Sequence, residues 1–192
     1  MKPELEIRQL ERSELGDIWK IDRSELIEGF YRMVGGQLVL EAAQFDADGW
    51  PPGEEEHFSP HLLDCFDRGG TFFGAFDGDT LVGVAVLESR FIGSGLDRLQ
   101  LKFLHVGRPY RGHGLGTRLF HLAESRAREL GARKLYISSN PSKHTVGYYT
   151  NLGCTLTEEI DPELFELEPE DIHMEYVIPS ERSENGSGRS EI

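Results

Sequence analysis

Val106-Gly107-Arg108-Pro109-Tyr110-Arg111-Gly112-His113-Gly114-Leu115-Gly116-Thr117 is the stretch on which the fold turns. It sets Gly112, Gly114 and Gly116 between an extended apolar segment and the first turn of a helix. Packing alone demands no such alternation of glycines. Without side chains the backbone N–H groups can close on an anion, and a helix N-terminus adds unpaired donors and about half a positive charge. A pyrophosphate fits that requirement. A merely flexible Gly-rich connection would leave the strand before the glycines and the helix after them unexplained. A Walker loop would need Gly-Lys-Ser/Thr where this chain has Gly116-Thr117-Arg118, and a dinucleotide fingerprint would need a third glycine at Thr117 between parallel strands.

Working outward, Gly114 to Leu130 reads as a helix, with Leu115, Leu119, Leu122, Ala123, Ala127 and Leu130 on one side and Gly131 as its stop. Upstream, Thr71 to Phe76, an Asp77-Gly78-Asp79 turn, Leu81 to Leu87 and Leu99 to Val106 form an antiparallel meander. Downstream come a strand over Lys134 to Ser138, a helix over Thr145 to Leu152 and a strand over Ile172 to Ile178. At the other end of the chain, Glu4 to Leu10 alternates as a half-buried strand, and Ser13 caps a helix running to about Leu26. Tyr31 to Val34 and Gln37 to Leu40 are short strands around the Gly35-Gly36 turn. Phe45 to His57 has no period and reads as a loop, and Ser59-Pro60 starts a helix that ends at Gly69-Gly70. The tail from Ser180 has the composition of a disordered segment. Together these give a single domain over residues 1–179 of mixed α/β (α+β) class, a mostly antiparallel sheet covered on both faces.

Composition narrows the function classes. The chain has 192 residues with 20 Lys plus Arg against 34 Asp plus Glu, and its formal charge of −14 repels phosphate backbones, which argues against nucleic acid. No apolar run approaches the ~20 residues that span a bilayer and the start carries no signal-peptide pattern, so the expectation is a cytoplasmic protein with no membrane role. Cys65 and Cys154 stand far apart, which offers neither a disulfide framework nor a metal site.

Arg111-Gly112-His113-Gly114-Leu115-Gly116 matches the Arg/Gln-x-x-Gly-x-Gly/Ala signature of the GNAT superfamily of acyl-CoA N-acyltransferases, and the chain resembles that family from Thr71 to Cys154. Tyr148-Tyr149-Thr150-Asn151-Leu152-Gly153-Cys154 is similar to the family's aromatic-Tyr-x-x-x-Gly-aromatic segment, with Cys154 in place of the usual aromatic. The resemblance implies a splayed sheet with acetyl-CoA as co-substrate, wedged where the strands ending at Val106 and near Ser138 diverge. It implies cofactor contacts from Leu104, His105, Val106, Arg111, Gly112, His113, Gly114, Leu115, Gly116, Thr117, Asn140 and Tyr149. His144 is a further candidate, and the Val106 N–H would help stabilise a developing oxyanion.

The implied reaction moves an acetyl group directly to a primary amine of a small molecule or peptide within a ternary complex. It needs a neutral amine nucleophile and a proton for the departing thiolate. Tyr149 falls where the family keeps a tyrosine close to the CoA sulfur and is the expected general acid, with packing as its competing role. Relatives often place the base early in the strand before the cradle, where this chain offers Gln100 and Lys102, neither a natural base. Glu88 is the remaining candidate, against the plainer role of a solvated strand-end carboxylate. His105 shares a face with Leu101 and Phe103 and reads as a core or cofactor-side histidine. A non-catalytic acyl-CoA-binding regulatory module keeps the cradle and needs no Tyr149, and it stands as the alternative. The acceptor is unread, with the Gly35 hairpin, the Trp50 loop and the acidic segment from Asp161 to Asp171 as the places that would choose it. A homodimer is compatible with the sequence.

Overall fold

In a computed structural model, which describes residues 5–180, seven strands form one sheet and a separate two-stranded hairpin packs beside it. The strands are β1 (Glu6–Gln9), β2 (Glu25–Val34), β3 (Gln37–Ala47), β4 (Thr71–Asp77), β5 (Thr80–Ile92), β6 (Arg98–Val106), β7 (Lys134–Ser139), β8 (Thr155–Leu156) and β9 (Ile172–Val177). Helices are α1 (Glu54–Asp67), α2 (Leu115–Glu129), α3 (Lys143–Asn151) and α4 (Pro162–Leu167), and a 3-10 helix covers Arg12–Lys20. The sheet order is β1-β4-β5-β6-β7-β9-β8, while β2 and β3 form a two-stranded sheet of their own. The tail expected to be disordered lies, beyond Ser180, outside the described residues.

The sheet is covered on both faces because its central strand alternates between two cores. On β5, Ala85 and Leu87 join Leu119, Phe120, Ala123 and Ala127 of α2, whereas Val84 and Val86 join Ile18 of the 3-10 helix and Leu62 and Cys65 of α1. Strand periodicity of two sends successive side chains to opposite faces. Burying each large side chain contributes about 1.5–3 kcal/mol, and Leu119 and Phe120 are both fully excluded from solvent.

Two features open the sheet at one place. β6 and β7 are the parallel pair, and they are joined only from Arg98↔Lys134 to Gln100↔Tyr136. From Leu101 to Val106, β6 runs on without β7 beside it. On its other side, β6 pairs Phe103 with Val86 but Leu101 with Leu87, so Lys102 is an extra residue opposite no partner. Such a bulge re-aims the strand. Its consequence is that Leu101 faces the α2 core and Phe103 faces the α1 core, although two residues apart they would otherwise share a face.

Several sequence expectations need correction. The N-terminal helix is capped by Glu11 rather than Ser13, with the Glu11 N–H donating to the Glu14 carboxylate at 2.7 Å, and it ends at Lys20 rather than Leu26. Leu26 belongs to β2. The hairpin strands are long, and β3 takes Phe45 to Ala47 out of the expected loop. Their turn has Gly35 at φ 57° and Gly36 at φ 82°, the left-handed pair a tight hairpin requires. α1 starts at Glu54, with Pro60 inside it, because Glu54, Glu55 and Glu56 favour the positive end of the helix. Among the described residues no helix is long and apolar enough to cross a membrane.

Candidate active site

The gap between β6 and β7 is the floor of a cleft of about 610 Å³. Its far walls are the start of α2, the face of α3 bearing Tyr148 and Tyr149, and Ile27, Phe30 and Phe45 of the hairpin. The hairpin is fastened there by backbone, since the Tyr31 N–H donates to the Pro141 carbonyl at 2.8 Å.

At the α2 end, Gly112 and Gly114 hold φ of 75° and 81°. Nothing lies within 4 Å of where a Cβ on either would sit, so no neighbouring part of the protein requires them to be bare. What requires them is the left-handed turn that carries the chain into the helix with its first N–H groups outward. No side chain caps that helix terminus, which leaves donors for an anion. Gly116 is different, because a Cβ there would stand 3.2 Å from the Tyr148 hydroxyl. That hydroxyl is buried without a hydrogen-bond partner, and burial pushes the phenol up to about 12.

Arg111 faces inward to the protein. Its Nε donates to the Val106 carbonyl at 2.8 Å and its Nη1 to the Ser24 carbonyl at 3.0 Å, with Glu25 at 3.7 Å. Burial holds its pKa below the ordinary guanidinium value.

Of the residues singled out from sequence, Leu104, His105, Val106, Arg111, Gly112, Gly114, Leu115, Gly116, Thr117, Asn140, His144 and Tyr149 all line this one cleft. The His113 side chain is exposed beside it. His105 does not share a face with Leu101, because the bulge at Lys102 intervenes. It packs instead with Phe103 and against the edge of Trp50, ring centroids 5.2 and 4.7 Å away. Burial, reinforced by the Arg23 and Arg111 cations, pulls His105 down to about 3, so it is a neutral wall group.

Glu88 is the clear correction. It is neither a solvated carboxylate nor in the cleft, since it is 6% exposed, pairs with Arg68 at 2.9 Å and accepts the Ser89 N–H at 2.8 Å. Its carboxylate is engaged with Arg68, which also pairs with Asp64 at 3.0 Å. Sequence reasoning also missed what α1 and the residues before β2 bring to the mouth of the cleft. There Arg23 is bound to Glu54 at 2.7 Å and lies over the Trp50 ring at 4.9 Å. The Trp50 indole N–H donates to the Ile21 carbonyl at 3.0 Å. No motif signals a pairing across that separation. Among the described residues no His, Cys, Asp or Glu cluster of metal-ligating kind occurs.

The chain matches the family model described as "Acetyltransferase (GNAT) family" over residues 37–154. No curated protein matches it. Among solved structures, a nourseothricin acetyltransferase is 22% identical with a TM-score of 0.67, over 91% of this chain and 99% of its own. A Bacillus anthracis protein assigned as a streptothricin acetyltransferase, solved in complex with acetyl coenzyme A, is 17% identical with a TM-score of 0.61, over 89% and 95%. The PaiA N-acetyltransferase from Thermoplasma acidophilum, solved with coenzyme A, is 20% identical with a TM-score of 0.60, over 90% and 98%. These likenesses establish the shared fold.

Proposed function

Since the chain belongs to the GNAT acetyltransferase family, we propose that its cleft takes acetyl-CoA along the gap between β6 and β7 and passes the acetyl group directly to a primary amine of a small molecule or peptide. The observation that carries this reading is the uncapped start of α2, with left-handed Gly112 and Gly114 opening on the same cleft that Tyr149 lines. The backbone N–H groups of residues 112–117 would hold the pyrophosphate. The unpaired edge of β6 around Leu104 to Val106 would hydrogen-bond the pantetheine arm, and Asn140, just past the end of β7, lies across the gap to do the same. Acetyl-CoA supplies an activated thioester, and the protein's part is to hold the amine against its carbonyl carbon.

Bringing two reactants into one cleft can itself account for about 7 kcal/mol or more of barrier reduction. Tyr149 would give the departing sulfur its proton. Burial raises its pKa above the phenol value of 10.0, so the phenol is fully protonated wherever the protein is folded and active. His105, held neutral, keeps a second positive charge away from an incoming ammonium. A substrate pool of acetyl-CoA also fits the cytoplasmic location expected from sequence.

Calorimetric titration with acetyl-CoA, run beside a free-thiol release assay over spermidine, L-lysine and kanamycin, tests the reading. Saturable binding and thiol release on adding an amine are expected. Binding without turnover on a wide panel of amines would instead favour the regulatory module, and no binding would overturn both.

A further inference from the structure

Among the described residues, three Lys or Arg side chains line the cleft: Arg23, Lys102 and Arg111. Two of them are answered. Arg23 donates to both Glu54 carboxylate oxygens, at 2.9 and 2.7 Å, and Arg111 to the Val106 and Ser24 carbonyls with Glu25 at 3.7 Å. Lys102 is half-buried and makes no hydrogen bond or ion pair among the described residues. By contrast, Lys20, Lys134 and Lys143 each reach a carboxylate, at 2.6, 2.7 and 4.0 Å.

Lys102 is not alone for want of partners. The chain carries 34 Asp plus Glu against 20 Lys plus Arg, so a solitary cation marks a place from which the fold keeps its own carboxylates away. Glu25 is the one carboxylate among the described residues that line the cleft, and it stands by Arg111. The hairpin contributes Ile27, Phe30 and Phe45 to the wall, none of them charged. Glu168 feels the Lys102 charge but forms no ion pair with it. A half-buried ammonium has shed part of its water, so an anion brought to it gains more than it would at an open surface.

The bulge decides where along the cleft this charge stands. Lys102 is the residue inserted between the Leu101–Leu87 and Phe103–Val86 pairs, just past Gln100, where β7 closes on β6. An acyl donor anchored by its pyrophosphate at the start of α2 would enter beside Val106, which Arg111 ties to the glycine turn. From Val106 the free edge of β6 runs four residues to Lys102, about 13 Å at about 3.3 Å per residue. The donor's reactive end, following that edge, arrives at the closed end of the cleft where Lys102 sits. An acceptor that reaches the thioester must bring its remaining groups past the same ammonium.

Building on the transferase reading above, we propose that the acceptor is an amino acid, a primary amine whose own carboxylate is held by the Lys102 ammonium while its nitrogen meets the thioester. The carboxylate completes the missing ion pair and takes no part in the bond changes. The nitrogen forms a bond to the acetyl carbonyl carbon, the carbon–sulfur bond breaks, and the sulfur leaves with its electron pair and gains a proton. The sum is an N-acetylamino acid, a free thiol and one proton from a zwitterion and a thioester. A diamine lacking the carboxylate would bring a second positive charge toward Lys102 instead, and like charges brought together without a partner repel.

The test measures kcat and KM at saturating acetyl-CoA for the common amino acids, each beside its own carboxamide, in wild type, Lys102→Met and Lys102→Arg. The carboxamide keeps the amine and the body of the acceptor and lacks only the negative charge, while Lys102→Met keeps the apolar stem and lacks only the positive one. Wild type should favour one or more amino acids over their carboxamides. In Lys102→Met that preference should fall by about 10- to 100-fold through KM, the factor that losing one charge-assisted hydrogen bond implies, and Lys102→Arg should restore part of it. Comparing the preference between wild type and variant cancels the different basicity of the two amines, and calorimetric titration with acetyl-CoA shows whether each variant is folded. Turnover of no amino acid, whether or not another amine is accepted, an unchanged preference in Lys102→Met, or a fall in kcat that is equal for acid and carboxamide would overturn the assignment while leaving acetyl-CoA binding intact. Failure of wild type to bind acetyl-CoA would overturn the transferase reading instead, and this proposal with it.

Discussion

The Arg111 guanidinium reaches back five residues to the Val106 carbonyl, at 2.8 Å from Nε, and so ties the glycine turn to the end of the strand that precedes it. The same group spans to the Ser24 carbonyl ahead of β2, which makes it a brace between three segments of the cleft wall. The signature arginine therefore acts on the anion site by shaping it. Arg111→Ala is expected to cost about 2 kcal/mol of stability from lost charge-assisted bonds, seen as a lower urea midpoint, and to weaken acetyl-CoA binding. Arg111→Lys should restore only part of both, because an ammonium cannot present the same fork of donors. Unchanged stability in Arg111→Ala would refute the brace.

Gly114 and Gly131 sit at opposite ends of α2 with φ of 81° and 94°, and a Cβ on either would meet nothing. Replacing each by alanine forces a side chain into the left-handed region at about 1–2 kcal/mol. Equal destabilisation is expected, yet only Gly114→Ala should weaken acetyl-CoA binding, because only its Cβ would project toward the cleft. Thermal denaturation and calorimetry on the two variants separate backbone strain from anion recognition. Parallel loss of binding in both would show that strain alone explains it.

The sequence made the meander, α2 and its glycines readable because each obeys one local rule: alternation on β4 and β5, a helical stripe from Leu115 to Ala127, and bare turns before it. What escaped it depends on distance or on a single inserted residue. The bulge at Lys102 reverses the faces of everything after it, so His105 was grouped with Leu101 when it belongs with Phe103 and Trp50. The hairpin was read short because Leu26, Val39 and Leu40 are apolar yet exposed, which blurs the alternation a half-buried strand would show. The mouth of the cleft was invisible because Arg23 comes from one segment and Trp50 and Glu54 from another, which no spacing rule connects.

Glu88 tests the cleft assignment from the negative side. It is buried against Arg68, does not line the cleft, and its loss leaves that guanidinium without its most buried partner. Glu88→Gln is expected to lower stability by about 1–2 kcal/mol while leaving kcat with the best acceptor within a factor of two or so, once assays are run well below the unfolding temperature. A large fall in kcat with intact folding would return Glu88 to the reaction.

Tyr149→Phe removes one hydroxyl from a side chain whose packing is otherwise complete, so acetyl-CoA affinity and the unfolding midpoint should stay near wild type. The kcat should fall by about 10²–10⁴-fold if the phenol supplies the sulfur's proton. Tyr148→Phe is the matched control, since its hydroxyl lies beside Gly116 at the start of α2. Equal losses in the two variants would mean that both tyrosines serve packing or cofactor contact.

Asp171 should mark itself in the pH dependence of stability. Burial first, and then Glu168, raise its carboxyl so that it holds a proton up to about pH 7 in the folded protein, against 3.8 for an ordinary aspartate. A folded-state value raised above the unfolded one gives stabilisation that is full below the unfolded value and is lost as pH rises through the folded one. Wild type is thus carrying an unfavourable buried charge at pH 8 that it does not carry at pH 4. Asp171→Asn has no such charge at any pH, so its Tm should exceed that of wild type at pH 8, with the gap narrowing below pH 7 and closing near pH 4. A Tm difference that stays constant with pH would mean the carboxylate is already satisfied in the folded state.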